Sequence, residues 1–147
     1  MNTANREKAI RIMNGVVAGT TDQTSSAVDT QGYDGVKFYT AFGAITAGAV
    51  TSVKVQQSSD DGAVDTYADL TGTAITVADD DDNQLTVHDI YRPRERYLKV
   101  VVDRGVQNAV IDGVIAVLYG AKEMPTISDS ATVVARETHV SPAEGTA

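Results

Sequence analysis

From Val36 to Phe42 the chain alternates with a period of two. Val36, Phe38, Thr40 and Phe42 fall on one side and Lys37, Tyr39 and Ala41 on the other, the pattern of a strand with one buried face. Val50 to Gln57 repeats it, with Val53 and Val55 inward and Lys54 and Gln56 outward. A helix would place residues three and four apart on one face, so this spacing excludes helix in both segments. The apolar usage agrees, with 20 Val, 17 Thr and 8 Ile against only 4 Leu. β-Branched side chains are stiff at χ1 and suit a pleated surface, whereas a helical domain leans on Leu.

Turn signals separate further runs of the same kind. Gln31-Gly32-Tyr33-Asp34-Gly35 supplies two glycines for positive φ. Asp61-Gly62 between two strand-like runs predicts a hairpin, with Val64 to Leu70 as its returning strand. Gly43 to Gly48 reads as a small-residue loop, and Ala9 to Ala18 as a short helix or strand. Leu85 to Ile90 and Tyr97 to Val102 read as strands, with Asp103-Arg104-Gly105 as the turn after the second. Ala109 to Tyr119 is apolar on both sides. Ile111, Ile115 and Val117 share one face, and Val110, Val114, Ala116 and Leu118 the other. That predicts a central strand covered on both faces. Seven or eight strands at this spacing predict an all-β fold, an antiparallel β-sandwich with possible jelly-roll connections. The division that follows is an N-terminal arm over residues 1–14, a sandwich over 15–123 and an extended C-terminal arm over 124–147. The last segment has too little apolar content to join a core.

Composition removes several function classes. Without cysteine there is no disulfide, thiolate metal site or cysteine nucleophile. A formal charge of -8 argues against non-specific duplex binding, so no nucleic-acid partner is expected. No run approaches the roughly 18 apolar residues of a membrane span, so no membrane partner is expected. Arg11 and Asn14 interrupt the apolar stretch after Arg6 and Lys8, unlike a secretory signal. Synthesis in the cytoplasm is the expectation. No phosphate-binding loop, dinucleotide fingerprint, nucleophile elbow or His-Glu-x-x-His motif occurs. No catalytic residue, cofactor or metal is assigned, and the protein is expected not to be an enzyme. A glycosidase needs only two carboxylates, but a chain of 147 residues leaves little room for its cleft.

Four local features remain as candidates. Asp79, Asp81 and Asn83 match the first half of a calcium loop. Gln84 then stands where that loop needs Gly, and Ile90 where it needs Glu. The acid run therefore reads as a solvated, self-repelling turn. Arg92, Arg94 and Arg96 alternate around Pro93 and Glu95. They are the candidate interface residues, since guanidinium forks pair well with carboxylates; the alternative is that Arg96 pairs with an Asp of this chain while Arg92 and Arg94 sit in water. His88 reads as a surface or edge residue. The six tyrosines read as packing groups.

A longer pattern carries a resemblance. Val28-Asp29-Thr30-Gln31-Gly32-Tyr33 is followed by the Val36–Phe42 strand, then by Val53-Lys54-Val55-Gln56-Gln57-Ser58-Ser59-Asp60-Asp61-Gly62, and later by Arg94-Glu95-Arg96-Tyr97-Leu98-Lys99-Val100-Val101. Over about Val28 to Pro125 this resembles the β-sandwich decoration (cement) proteins of tailed bacteriophages. The resemblance marks strands and turns, not a site, so it carries over no functional residue. It implies a non-enzymatic virion protein on the capsid exterior that bridges subunits of the major capsid protein, as a homo-oligomer on the shell. Two other readings stand beside it: a different virion component, in the neck or tail, and a calcium-assisted carbohydrate-binding β-sandwich module.

Overall fold

A computed structural model describes residues 5–127, 129 and 131–146. Within them lie eleven strands: β1 (Lys8–Met13), β2 (Val16–Gly19), β3 (Gln23–Thr24), β4 (Val28–Asp29), β5 (Gly35–Ile45), β6 (Val50–Ser58), β7 (Ala68–Asp69), β8 (Ile75–Val77), β9 (Leu85–Tyr91), β10 (Tyr97–Gly105) and β11 (Ala109–Tyr119). β1 and β2 both run along β11, β3 and β4 along β10, and β7 and β8 along β6, so the eleven strands fill eight positions. One sheet has the order β1/β2, β11, β5, β9; the other has β3/β4, β10, β6, β7/β8. Every pairing is antiparallel. Counted over these eight positions, the chain changes sheet at each connection except that from β6 to β7/β8, which is the jelly-roll path. The fold is an antiparallel β-sandwich.

Two inner faces meet in one layer. β5 contributes Val36, Phe38 and Phe42, β6 contributes Val53 and Val55, and β10 contributes Leu98, Val100 and Val102. All are buried, at the alternate positions that the period of two marks. Ile111, Val114, Ala116 and Leu118 complete the layer from β11. These β11 residues do not share one parity. A bulge between Ile111 and Gly113 inserts a residue and reverses the phase of the strand. Gly113 makes this possible at φ 145, where a Cβ would come within 3.1 Å of the Met13 carbonyl oxygen.

Several sequence expectations need correction. The segment 1–14 is not all arm, because β1 pairs with β11 from Lys8 onward; residues 1–4 lie outside the described part. Gly43 and Ala44 are not loop but the end of β5. Of Val64 to Leu70, only Ala68 and Asp69 pair with β6. The preceding turn is held by the Asp60 carboxylate, which accepts hydrogen bonds from the amides of Ala63, Val64 and Asp65. Those local bonds satisfy the backbone without a strand partner.

β10 runs through Asp103 and Arg104 instead of turning there. Arg104 points inward and is buried, donating from Nε to the Thr21 carbonyl at 2.8 Å and from Nη1 to those of Val17 and Ala109 at 3.1 and 2.7 Å. It thereby fastens the β2–β3 turn to β10 and β11. β11 is covered on its inner face only, and Ile115 is 47% exposed. On β9 the buried set only partly follows the apolar pattern: Ile90 packs against the core, but the other two apolar residues do not. His88 faces inward opposite Phe38, while Leu85 and Val87 face outward at 56% and 46% exposure.

Phe38→Ala removes the largest type of side chain from the centre of this layer. It should lower unfolding free energy by about 3–5 kcal/mol, read from urea denaturation at unchanged m-value.

Candidate interaction surfaces

The three arginines singled out by the sequence lie on the β9–β10 loop, and all three are exposed. The loop leaves β9 through Arg92, whose φ is 51 and whose amide donates to the Asp34 carbonyl at 2.8 Å. That bond ties the loop to the β4–β5 turn. Arg96 is engaged within the chain: Nε donates to Asp29 Oδ1 at 2.9 Å and Nη2 to Oδ2 at 2.6 Å. This two-pronged pair anchors the loop end against β4. The Arg96 guanidinium holds the Asp29 carboxyl below the usual carboxylate range, against the opposing effect of partial burial.

Arg92 rests its guanidinium 5.1 Å from the Tyr91 ring centre. Arg92 and Arg94 form no ion pair among the described residues. Together with Lys122 and Arg96 they line a cleft of about 620 Å³ whose far wall is Tyr33 and Asp34. Fixed cations at the mouth of an open cleft can receive carboxylates from another surface.

The acid run is a turn with Asp80 and Asp82 exposed, as its composition suggests, but three of its carboxylates also bond to backbone amides. Asp79 Oδ2 accepts from the Gly48 amide at 2.6 Å, Asp81 Oδ2 from the Ala78 amide at 2.9 Å, and Asp82 Oδ1 from the Ile45 amide. On its β9 side β5 has no strand partner beyond Ala41 and Leu85, only backbone bonds from Phe42 to Gln84 and from Asn83 to Gly43. The carboxylates supply acceptors to amides further on and in the following turn. Among the described residues no group of three His, Asp or Glu side chains is arranged to hold a metal ion.

His88 is corrected from a surface residue to a buried one. It is 6% exposed and donates from Nε2 to the Thr73 carbonyl at 2.6 Å, joining the edge of one sheet to the loop beside the other. Its Nδ1 is buried without a partner, as are the hydroxyls of Thr40 and Thr86 on the same strand pair. Of the tyrosines, Tyr33 packs against the core, whereas Tyr91 is 59% exposed. Tyr119 donates to Asp89 and Tyr67 to Asp61, each at 2.6 Å. His139 lies on the C-terminal segment and contacts only Glu137.

The C-terminal segment carries features that single-residue inspection of the sequence missed. Thr126 donates to the carbonyls of Asn5 and Glu7 through its amide and hydroxyl. The Arg11 amide donates to the Thr132 hydroxyl at 3.3 Å, and Arg136 reaches the Glu7 carbonyl at 3.0 Å. The segment thus runs beside β1 as far as Arg136. From Glu137 to Thr146 no hydrogen bond joins it to the sandwich among the described residues, and Val134 and Val140 are fully exposed. Ser128, Ser130 and Ala147 of this segment lie outside the described residues.

Fold and surfaces together define a jelly-roll sandwich with a basic cleft at one end and an extended arm. The sequence matches no protein-family model and no curated protein. Two solved structures share part of its shape. A structure of infectious bursal disease virus Gt strain aligns over 82% of this chain and 33% of that chain at 14% identity and a TM-score of 0.44. A structure of the Gx strain aligns over 84% and 32% at 14% identity and a TM-score of 0.34. The chain spans about one third of the length of the chains it matches. Likeness at this distance does not bear on what the chain does. Among the described residues no helix is long and apolar enough to cross a membrane.

Asp29→Asn tests the anchor of the arginine loop. Because the folded-state pKa of Asp29 is depressed, its contribution is present above the unfolded value of about 3.9 and is lost as pH falls through the folded value. The stability gap between wild type and variant should be full above about pH 5 and close steadily below about pH 4. Denaturation midpoints measured across that range check it.

Proposed function

We propose that this chain is a structural virion protein. It binds the outer surface of a phage capsid and stabilises the shell by bridging subunits of the major capsid protein. The observation that carries this reading is the arm: among the described residues no hydrogen bond joins it to the sandwich from Glu137 onward. It bears fully exposed Val140 there, and fully exposed Val134 stands just before that point. Isolated valines on an extended backbone gain nothing in water. They gain apolar contact and main-chain hydrogen bonds when laid against another subunit. The sandwich provides a rigid body from which the arm departs at a fixed place, beside β1. The cleft with Arg92, Arg94 and Lys122 offers a second contact, suited to acidic side chains of a shell surface. Weak contacts of both kinds, repeated over a lattice, add through multivalency, so neither has to be tight alone. This function requires no catalytic group, and none is assigned.

The copy number in purified virions tests the reading directly. Quantitative mass spectrometry should find hundreds of copies per particle. A dozen or fewer would move the protein to the neck or tail, and absence from the particle would end the proposal. Purified protein should also bind expanded, DNA-free shells saturably and raise their melting temperature. The double substitution Val134→Asp with Val140→Asp should weaken that binding by at least about tenfold, since each buried valine contributes roughly 1.5 kcal/mol or more. The melting temperature of the free protein should stay unchanged.

A further inference from the structure

The outer faces of the two sheets differ in kind. On the second sheet Lys54 pairs with Asp69 at 3.2 Å and with Asp103 at 3.7 Å, Gln56 donates to Asp69 at 2.7 Å, and Lys99 lies 3.8 Å from the Tyr67 ring centre. That surface satisfies itself. On the first sheet the register sets Arg11 beside Ile115, Ile115 beside Tyr39, and Tyr39 beside Val87 in one continuous row across four strands. The adjacent row is Gly113, Ala41 and Leu85. Ile115, Val87 and Leu85 are each about half exposed. The small residues Gly113 and Ala41 leave a groove of about 460 Å³ between the rows. Contiguous apolar surface of this kind on a soluble sandwich marks a contact site. β11 carries the same message in its sequence, being apolar on both faces, yet the chain covers only one of them.

We propose that a second copy of this chain covers this face, the two first sheets packing outer face to outer face as a twofold dimer. The charges at its margins select that occupant. Arg11 of β1 has no ion pair among the described residues, and its guanidinium lies beside Gly113 of β11. Asp89 stands at the opposite margin on β9, 3.9 Å from Lys37 Nζ and accepting from Tyr119 at 2.6 Å, with its side chain still 48% exposed. A twofold axis parallel to the strands, passing between β11 and β5, exchanges β1 with β9. Each Arg11 then faces the β9 of the partner copy. Asp89 lies two residues along β9 from the row of Arg11, about 7 Å, which an extended arginine side chain spans. A cation on one margin and an anion on the other is what a self-complementary face requires. Aligned sheet-on-sheet packing accommodates the apolar rows between them. The proposal stands without the capsid reading, because the pairing forms in solution.

Sedimentation equilibrium of the full chain from about 1 µM to about 500 µM is the test. The mass should rise toward that of a dimer, and Ile115→Asp and Leu85→Lys should each raise the dissociation constant at least about tenfold. Far-UV circular dichroism and melting temperature establish that each variant is folded. Arg11→Asp should weaken the dimer, and adding Asp89→Arg to it should restore association. A wild-type chain that stays monomeric throughout overturns the proposal. So does a dimer or larger assembly indifferent to Ile115→Asp and Leu85→Lys. Monomeric wild type whose binding to shells is lost in Ile115→Asp also overturns it and gives the face to the capsid, leaving the function proposed above intact.

Discussion

One layer of side chains, shared by two sheets, holds this molecule together. Phe38 and Phe42 on one sheet meet Leu98, Val100, Val53 and Val55 on the other, and among the described residues no helix or third sheet adds a second interior. A strand presents two faces, and a sandwich of this size can bury only one of them per sheet. The remaining surface has to be made compatible with water or be covered by something else. The second sheet takes the first course, with lysine, glutamine and aspartate in mutual contact. The first sheet does so only in part, where Asp89 meets Lys37 and Tyr119, and its exposed rows around Ile115, Val87 and Leu85 follow from the same constraint that makes the core.

Polar groups do the fastening that short strands cannot. β3, β4, β7 and β8 are only two or three residues long, so the ladder alone holds them weakly. Arg104 joins the β2–β3 turn to the core through three carbonyl bonds. Asp29 and Arg96 lock β4 to the start of β10, Asp60 organises the turn after β6, and the acid run closes the end of β5. An ionised side chain is well suited to this work, because its hydrogen bonds to backbone groups are roughly twice as strong as neutral ones. The acidic composition is therefore in part structural, with many of its carboxylates bonded to amides of the same chain.

The arm and the first sheet's outer face are distinct surfaces with different physical character. The arm is extended and offers backbone as well as side chain, which suits addition along a neighbour. The face is broad, rigid and already hydrogen-bonded, which suits packing. They adjoin at β1, where Arg11 bounds the face and its amide bonds Thr132 of the arm, and their different character would let a protein hold its own copy through one and a different subunit through the other. Arg92 and Arg94, at the loop end of the sandwich, add charge selectivity to whichever surface approaches that cleft.

The sequence alone settled what is local. Period two over β5, β6 and β10 follows from the geometry of an extended backbone, so the strands and their buried residues were readable without a fold. The exposure of Arg92, Arg94 and Arg96 around half-buried Pro93 and Glu95 was readable for the same reason. Parity, however, belongs to the pairing. On β9 Leu85 and Val87 marked the wrong face and only Ile90 the right one, because contact with β5 puts His88 opposite Phe38. On β11 the bulge at Gly113 changed faces partway along, which no count of alternating residues reveals. The acid run, Arg104 and the arm depend on amides and carbonyls dozens of residues away. Side-chain alternation is written in each segment, but which face turns inward, and which carboxylate finds which amide, exists only once the two sheets have met.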